Sequence, residues 1–408
     1  MDHPAVLTGP SGPREISRPR VSEYAAASRS LRIALVTETF PPEVNGVAMT
    51  IGRMLDGLLA RGHRVQLARP RQYRAERPRE TPQLEELLLP GVPLPRYQGL
   101  RAGLPAGRAL GRAWRHWRPD LVHVVTEGPL GWSALTQACR MRLPATSDFH
   151  TNFHNYSSHY GVGFLRHIIG GYLRGFHNRA LCTFVPTRQL CAQLQDEGYR
   201  GLEVVARGVD TWLFNPARRS AALRRQWGVE EHDPVVAYVG RIAPEKNLPL
   251  VLSAFAAMRR RMPRARLLMV GDGPERARLQ RRYPEHVFAG MRIHEDLACH
   301  YASADIFLFP SVTETFGNVT VEAMASGLAI VAFDYAAAHE HIVHGENGLL
   351  APTGEEAAFE RVATDLIADP ACIARLGRNA RRSAERIDWD QVNDDFAAAL
   401  SRYAAPAG

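Results

Sequence analysis

The strongest constraint on the fold of this chain is a repeated alternation of short apolar runs with stretches of helical periodicity. The first unit has an apolar run at 31–36, a loop rich in Pro and Gly at 37–46, a helical pattern at 47–60 and a second apolar run at 64–68. Apolar runs of this length predict strands that are buried on both faces. Because strand, helix and strand in succession form the βαβ unit, the chain is expected to fold around parallel sheets.

The same alternation continues in two series, which predict two doubly wound, Rossmann-like domains of the α/β class. We expect a flexible leader at 1–30, an N-terminal domain at 31–207, a C-terminal domain at 208–388 and a terminal helix at 389–408. The two domains should face each other across a cleft, with ligands beyond the carboxyl ends of the strands. The further predicted strands lie at 121–125, 145–149, 181–186, 202–206, 235–239, 266–270, 287–289, 306–309 and 330–333.

Composition excludes several classes of protein. A hydrophobic share of 45% and a charged share of 23% are typical of a globular chain and exclude a mostly disordered one. No apolar run reaches the roughly 18 to 20 residues of a spanning helix, and residues 1–30 lack the apolar segment of a signal peptide. The five cysteines are scattered, without a C-x-x-C pair, which argues against a disulfide framework or a zinc site. We therefore expect a cytoplasmic protein.

Positive charge is concentrated in the first half of the chain. Residues 1–200 contain 26 arginines, no lysine and 15 acidic residues, whereas residues 201–408 contain 24 basic and 27 acidic residues. This asymmetry indicates an anionic partner for the first half, either a membrane surface or a nucleic acid. A general preference for arginine that serves only solubility explains the charge equally well.

One residue departs from the preference for arginine. Lys246 is the only lysine among 50 basic residues, and a lysine provides a compact, strongly hydrated charge that an arginine does not reproduce. It lies with Arg241 in the loop at 240–247, between a predicted strand and the next helix. Two cations at a helix N-terminus suit a diphosphate. We favour this phosphate site over the alternative, a solvated loop with two ordinary charges.

A second loop of interest contains two acidic residues at a spacing of eight. Glu314 lies in the loop after the strand at 306–309, and Glu322 lies in the helix predicted at 318–326. Carboxylates accept hydrogen bonds from sugar hydroxyls, and the N–H groups at 316–318 can bind further oxygens. The pattern indicates polyol recognition, or else two acids that merely complement the dipole of the helix.

The first domain offers two further candidates. His150 follows the strand at 145–149, where a histidine either contacts a substrate or serves the structure. His154 lies at a metal-ligand spacing from it, but no glutamate lies between the two, so we expect no metal. Gly46 precedes a helix and lets the backbone approach a ligand closely.

Three other motifs are given structural interpretations. Asp388 and Asp390 have the D-x-D form of a metal site but open a helix, which favours capping. The segment 271–273 (Gly-Asp-Gly) follows a strand but is a weak dinucleotide motif because it lacks a third glycine. A histidine cluster near Gly345 is interpreted as a loop that lines the cleft rather than as a metal site: His339, His341 and His344.

Together these segments resemble the family-4 retaining glycosyltransferases of the GT-B fold, over about 31–403. The resemblance rests on Arg241-x4-Lys246, on Glu314-x7-Glu322, on the Pro-Pro-x-x-Asn-Gly-Val loop at 41–47 and on the Phe-His-Thr-Asn-Phe segment at 149–153. Within the family, the chain is similar to GDP-mannose-dependent α-mannosyltransferases and to glycolipid glycosyltransferases.

The resemblance implies a role for each candidate. Arg241 and Lys246 would hold the donor diphosphate, Glu322 the ribose hydroxyls, and His150 would lie against the sugar near the reacting carbon. The helix after Trp389 would cross back onto the first domain. The remaining donor contacts would be Gly46 at the phosphate, Met291 and Arg292 at the base, and Glu314, Phe316, Gly317 and Asn318 at the sugar.

The implied reaction is the retaining transfer of a hexose, without metal or cofactor. The donor would be GDP-mannose, which we favour slightly, or UDP-glucose, and the acceptor a lipid or glycan hydroxyl. The acceptor would attack from the face that the diphosphate leaves, while the phosphate takes its proton.

Two segments of the first domain combine basic and aromatic residues. The segment at 101–118 contains Trp114 and Trp117, and the segment at 164–179 contains Arg166, Arg174 and Arg179. They suit an anionic membrane, such as the inner face of the plasma membrane. The alternative is that the tryptophans are core residues and the arginines are solvated.

Two other functional classes remain open from the sequence. One is a two-lobed protein that binds a sugar without chemistry. The other is a nucleic-acid-binding protein, which the basic charge would suit. No recognisable nucleic-acid module occurs in the sequence, so we expect no nucleic-acid partner.

Overall fold

The computed structural model describes residues 29–43, 45–93, 101–150 and 166–406, without the side chain of Arg166. The predictions made for the leader at 1–28, for His154 and for the segment beyond His150 therefore lie outside the described residues. Contacts between residues group Leu31–Gly408 into one unit.

Two parallel sheets organise this unit. In the described residues the first sheet has seven strands in the order β3-β2-β1-β6-β7-β8-β9, and a short antiparallel hairpin, β4-β5, lies outside it. The strands are β1 (Arg32–Val36), β2 (Arg64–Pro70), β3 (Leu84–Leu89), β4 (Gly91–Pro93), β5 (Arg101–Gly103), β6 (Leu121–Val124), β7 (Ala145–Asp148), β8 (Cys182–Val185) and β9 (Leu202–Val204).

The second sheet follows in the chain and has six strands among the described residues, in the order β12-β11-β10-β13-β14-β15. They are β10 (Val235–Val239), β11 (Arg266–Val270), β12 (Val287–Gly290), β13 (Ile306–Phe309), β14 (Ala329–Phe333) and β15 (Leu349–Ala351). The predicted α/β fold with two parallel sheets is thereby confirmed.

Helices connect and cover the strands. Those of the first half are α1 (Gly46–Ala60), α2 (Gly107–Trp117), α3 (Pro129–Met141), α4 (Arg166–His177) and α5 (Arg188–Asp196). Those of the second half are α6 (Ala221–Gln226), α7 (Leu248–Arg261), α8 (Arg276–Arg282), α9 (His294–Ala302), α10 (Asn318–Ala325), α11 (Ala336–His341), α12 (Glu356–Leu366), α13 (Pro370–Ala384) and α14 (Trp389–Tyr403). None of the helices in the described ranges combines the length and apolarity that crossing a bilayer requires.

The order of the strands determines where a ligand can bind. Strand order reverses between β1 and β6 in the first sheet and between β10 and β13 in the second. At such a switch point the loops leave in opposite directions and open a crevice beyond the carboxyl ends of the strands. The loops at 37–46 and at 240–247 begin at these two points, so each predicted site loop lies where the topology favours binding.

The last helix packs against the first sheet. In α14, the Phe396 ring lies edge-on to His123 at 5.3 Å and to Phe184 at 5.9 Å, between ring centroids. Asp388 caps the start of this helix, since its side chain accepts a hydrogen bond from the Asp390 N–H at 3.0 Å. The predicted capping role of the D-x-D motif is thereby confirmed.

Candidate active site

The loop after β10 presents the two predicted phosphate ligands. Gly240 and Arg241 leave the strand, and a single 3-10 turn at Pro244–Lys246 leads to Asn247, whose left-handed backbone (φ 51°) starts α7. The guanidinium of Arg241 donates to Glu245 at 2.9 Å. The ammonium of Lys246 donates to the Glu314 carboxylate at 2.5 Å. Lys246 thereby links this loop to the loop that follows β13.

Two glycines that the sequence analysis sets aside support the phosphate loop. A Cβ at Gly271 would lie 2.0 Å from the carbonyl oxygen of Gly240, and one at Gly273 would lie 2.3 Å from that of Ile242. Between them, the Asp272 carbonyl accepts a hydrogen bond from the Ile242 N–H at 2.9 Å. Only residues without a side chain permit this contact, so the Gly-Asp-Gly segment fixes the backbone beneath the phosphate ligands.

The loop between β13 and α10, which contains Glu314 and is called the acidic loop below, is held by several hydrogen bonds. Glu314 accepts a second hydrogen bond from the Ser311 hydroxyl at 2.6 Å, and its carbonyl accepts one from Tyr335 at 3.0 Å. Thr313 donates to the carbonyl of Glu245, in the phosphate loop, at 3.2 Å. These contacts fix the Glu314 carboxylate beside Lys246.

The start of α10 contains the other residues predicted to bind the sugar. Phe316 is buried, with its ring edge-on to His341 at 5.8 Å between centroids. Gly317 has φ +92°, a left-handed conformation that favours glycine, and it precedes Asn318, the first residue of α10. This turn aims the N–H groups of the helix start beyond the end of β13.

Glu322 lies one turn further along α10 and has a partner that the sequence does not reveal. The Tyr301 hydroxyl, on α9, donates to its carboxylate at 3.0 Å. Burial raises the pKa of Glu322 to about 7, although the hydrogen bond from Tyr301 acts in the opposite direction. The carboxylate is therefore oriented by Tyr301, and its charge changes close to neutral pH.

Both candidates from the first half meet the acidic loop. The Thr315 hydroxyl donates to the carbonyl oxygen of His150 at 2.7 Å. The atom nearest to a Cβ built on Gly46 is Nδ2 of Asn318, at 3.6 Å. The structure thus brings Gly46 and His150 together with the loop that contains Glu314.

The predicted base contacts lie further along the second sheet. Met291 follows β12 and is 55% exposed, while Arg292 donates to the Ala289 carbonyl at 2.9 Å and to Asp296 at 3.0 Å. β12 is separated from β10 by β11, so these residues are two strands away from the phosphate loop. The candidate site therefore extends along the edge of the sheet, as an elongated ligand requires.

The histidine cluster near Gly345 does not converge. His339 pairs with Asp334 at 2.7 Å, His341 lies against Phe316, and His344 bonds the backbone of Leu350. Within the described ranges, no group of three or more His, Cys, Asp or Glu side chains is placed to hold a metal ion.

Two family models match the chain. The model described as Glycosyltransferase Family 4 matches residues 44–213, and the model described as Glycosyl transferases group 1 matches residues 233–369. The first match spans β2 to β9, and the second spans all six strands of the second sheet together with the loops of Lys246, Glu314 and Glu322.

Individual proteins show the same likeness. The GDP-mannose-dependent alpha-mannosyltransferase of Mycobacterium tuberculosis is 34% identical over 385 residues, which cover 93% of this chain and 97% of that protein. The alpha-monoglucosyldiacylglycerol synthase of Acholeplasma laidlawii is 25% identical over 376 residues, covering 87% of this chain and 93% of that protein. The structure of sucrose-phosphate synthase from Thermosynechococcus elongatus superposes with a TM-score of 0.75 at 20% identity and covers 92% of this chain and 99% of that one.

Proposed function

The chain belongs to the family-4 glycosyltransferases of the GT-B fold, and from this premise we propose that it is a retaining α-mannosyltransferase that uses GDP-mannose. It is an enzyme of the glycosyltransferase class, as the sequence predicts, rather than a non-catalytic sugar-binding protein or a nucleic-acid-binding protein. The choice of donor rests on the 34% identity to a GDP-mannose-dependent enzyme over nearly the whole chain. UDP-glucose is the alternative donor to test.

The observation that supports the site most directly is the ion pair between Lys246 and Glu314. It joins the loops after β10 and β13 at the switch point, where a donor would lie. A diphosphate is the stronger partner for Lys246, since it carries more charge than one carboxylate. On binding, Lys246 would turn to the diphosphate, and Glu314, still held by Ser311, would accept hydrogen bonds from the sugar hydroxyls.

The remaining donor contacts follow from the position of each residue. Arg241 would share the charge of the diphosphate with Lys246, and Gly46 would approach it from the first half. Glu322, oriented by Tyr301, would accept from the ribose hydroxyls. Met291 and Arg292 would border the base, while Phe316, Gly317 and Asn318 would complete the sugar subsite with Glu314.

The proposed chemistry needs no nucleophile from the protein. Departure of GDP breaks the bond between C1 of the sugar and the phosphate oxygen, and the two cations stabilise the negative charge that develops. The acceptor hydroxyl forms the new bond to C1 on the same face, and its proton passes to the phosphate oxygen that has left. An α-linked donor therefore gives an α-linked product, with His150 beside the transferred sugar.

We propose a lipid or glycan acceptor bound by the first half of the chain. The exposed face of α2 contains Arg108, Arg112 and Arg115, which suit an anionic membrane at the cytoplasmic face. Trp114 belongs to the core, being 1% exposed, so the suggestion that it contacts lipid is wrong. Of the second basic segment, Arg174 donates to the Glu197 carbonyl at 3.1 Å. Phe164 and the side chain of Arg166 lie outside the described residues.

The boundaries of the domains are also a proposal. We place them at 31–207 and 208–388, with 389–408 as a terminal helix that returns to the first domain. Two contacts support the return of this helix: the Phe396 ring packs in the first core, and the Arg61 side chain donates to Asp394 at 2.7 Å.

Thermal unfolding with GDP, UDP and ADP tests the donor. A nucleotide at 100 times its dissociation constant stabilises the folded protein by about 2.7 kcal/mol. We expect GDP to raise the unfolding temperature most, and GDP-mannose to give a glycosylated lipid or glycan product. A larger shift with UDP would reject GDP-mannose, and binding without product from any donor would reject the proposed transfer.

A further inference from the structure

A buried carboxylate lies directly behind His150. Asp148, the last residue of β7, has a fully buried side chain, and its Oδ2 lies 3.0 Å from Nε2 of His150. Nε2 of His123 is 3.4 Å away and Nη2 of Arg207 is 4.0 Å away, and both side chains are also buried. A buried charge must be compensated by such partners. None of these three partners of Asp148 belongs to the proposed C-terminal domain at 208–388, which would hold the nucleotide.

The charge state of Asp148 follows from these neighbours. Burial alone would raise the pKa of its carboxyl, but the contacts with His123 and His150 outweigh burial and hold that pKa well below its ordinary value. Asp148 is therefore an anion at neutral pH. Since a carboxylate without a proton can only accept a hydrogen bond, Nε2 of His150 is the donor in the 3.0 Å contact.

The charge state of His150 follows in turn. Burial lowers the pKa of its imidazole, although the carboxylate of Asp148 acts in the opposite direction. The ring is therefore neutral at neutral pH and has one proton, which lies on Nε2. The other nitrogen, Nδ1, then has a lone pair and can only accept. The charged or titratable groups that interact with the two side chains are His123, Glu127, Cys182 and Arg207.

The position of His150 places this lone pair beside the donor subsite. Its carbonyl oxygen accepts from Thr315, the neighbour of Glu314 in the acidic loop. The ring is 6% exposed and lies where the two halves of the molecule meet. Because the two ring nitrogens point away from each other, the contact with Asp148 turns Nδ1 away from the first core.

We propose that Asp148 is a positioning residue that holds His150 as the Nε2–H tautomer, so that Nδ1 accepts a hydrogen bond from a hydroxyl of the transferred sugar. This inference rests on the proposed function and defines what His150 does within it. Nδ1 of His150 then has no proton to give to the departing phosphate, and the neutral ring adds no positive charge beside a sugar that becomes cationic. Arg207 and His123 hold the carboxylate that fixes this state.

The first test is a double-mutant cycle on kcat/KM for GDP-mannose. Asp148→Asn keeps the size of the side chain but removes the charge that fixes the tautomer, and we expect a loss of about tenfold or more. In a His150→Ala background the same change should cost less than about twofold, because Asp148 acts through His150. Losses that multiply would overturn the proposal. Asp56→Asn, an exposed change on α1, is the control.

The second test does not depend on whether Asp148→Asn folds. Nitrogen NMR of the wild-type protein labelled in histidine, with the His150 signals assigned through His150→Ala, reports which ring nitrogen is protonated. We expect a protonated Nε2 and an unprotonated Nδ1 at pH 7.5. A protonated Nδ1 in His150 at that pH would refute the assignment.

Failure of this inference and failure of the proposed function give different results. GDP should still raise the unfolding temperature of Asp148→Asn, since the charged side chains proposed to bind the diphosphate and the ribose belong to the domain at 208–388. A wild-type protein that neither binds GDP nor transfers mannose would reject the function. A wild-type protein that does both, with a fully active Asp148→Asn variant, would reject this inference alone.

Discussion

At the scale of single residues, the charge on Lys246 should account for much of the proposed rate. Lys246→Ala removes one of the two cations at the departing diphosphate, and loss of one such donor typically lowers kcat by roughly 10²- to 10³-fold. Lys246→Arg keeps the charge but enlarges and flattens the group, so we expect partial activity. Steady-state kinetics with GDP-mannose measures both. Arg260→Ala, on the exposed side of α7, is the matched control and should be fully active.

Glu322 should make nucleotide binding depend on pH in a defined direction. Burial raises the pKa of Glu322 to about 7. The ionised carboxylate can accept hydrogen bonds from both ribose hydroxyls, whereas the protonated form carries a proton on one of its two oxygens. The affinity for GDP should therefore fall as pH is lowered from 8 to 6. Titration calorimetry at the two values measures it, and Glu322→Gln should reduce the dependence to the part that comes from the terminal phosphate of GDP, whose second pKa is about 6. An equal change of affinity in wild type and Glu322→Gln would contradict this origin.

Glu322 should also make the stability of the fold depend on pH, in the opposite direction: the contribution of Glu322 to stability should fall as the pH rises. Because the folded pKa of about 7 lies above the ordinary value of 4.5, protonated Glu322 favours the folded state. This contribution is complete below about pH 4.5 and is lost as the pH rises through 7. Thermal unfolding of wild type against Glu322→Gln isolates it, since other groups titrate equally in both proteins.

The residues of the site divide into those that sequence can reveal and those that it cannot. Lys246 stands out because it is the only lysine in the sequence. Glu314 and Glu322 stand out because they lie eight residues apart across the predicted start of a helix. Tyr301 and Asp148 carry no such signal. The partner of Tyr301 is 21 residues away on another helix, and the importance of Asp148 arises only from its burial among three side chains. Their roles depend on tertiary contacts.

At the scale of elements, wholly apolar strands are predictable and mixed ones are not. The strands at 235–239, 266–270 and 306–309 are found where the sequence predicts them. β3 is not predicted, because its sequence Leu-Glu-Glu-Leu-Leu-Leu consists of residues that favour a helix. Parallel pairing with β2 along six residues overrides that preference. Local sequence therefore predicts a strand best where both faces are buried.

Two glycines inside helices should respond oppositely to alanine. A Cβ at Gly57, in α1, would lie 2.2 to 2.5 Å from the amide atoms of Asn393 in α14, so Gly57→Ala forces the helices apart. We expect a loss of about 1–3 kcal/mol. Gly175, in α4, has no atom within 4 Å of such a Cβ, and Gly175→Ala should add up to about 1 kcal/mol through helix propensity. Chemical denaturation measures the free energy of unfolding of both variants. Equal changes in the two variants would contradict the close approach of Gly57 to Asn393.

At the scale of the whole molecule, two of the contacts between the halves come from residues that belong to no motif. The first N–H of α5, from Arg188, donates to Glu340 at 2.8 Å, and the first N–H of α11, from Ala336, donates to Gln189 at 3.0 Å. Each helix start is thereby capped by a side chain from the other half. A single sequence predicts each sheet but not this pairing, because it depends on how the two sheets are oriented.

The uneven charge of the molecule provides a test of the proposed membrane contact. The protein should sediment with vesicles of anionic phospholipid at about 0.01 M salt and dissociate at higher salt, since the screening length falls from about 30 Å to about 10 Å at 0.1 M. Reversing three exposed arginines of α2 to glutamate, at Arg108, Arg112 and Arg115, should abolish sedimentation.

The matched control separates a local patch from net charge. Reversing three exposed arginines of the second half, at Arg225, Arg260 and Arg281, changes the net charge of +8 by the same amount. If α2 is the contact, this variant should still sediment, because the arginines of α2 remain and their potential acts within one screening length of the lipid. Equal loss in both variants would mean that only net charge matters. Persistence of sedimentation in the α2 variant would place the contact elsewhere on the first half.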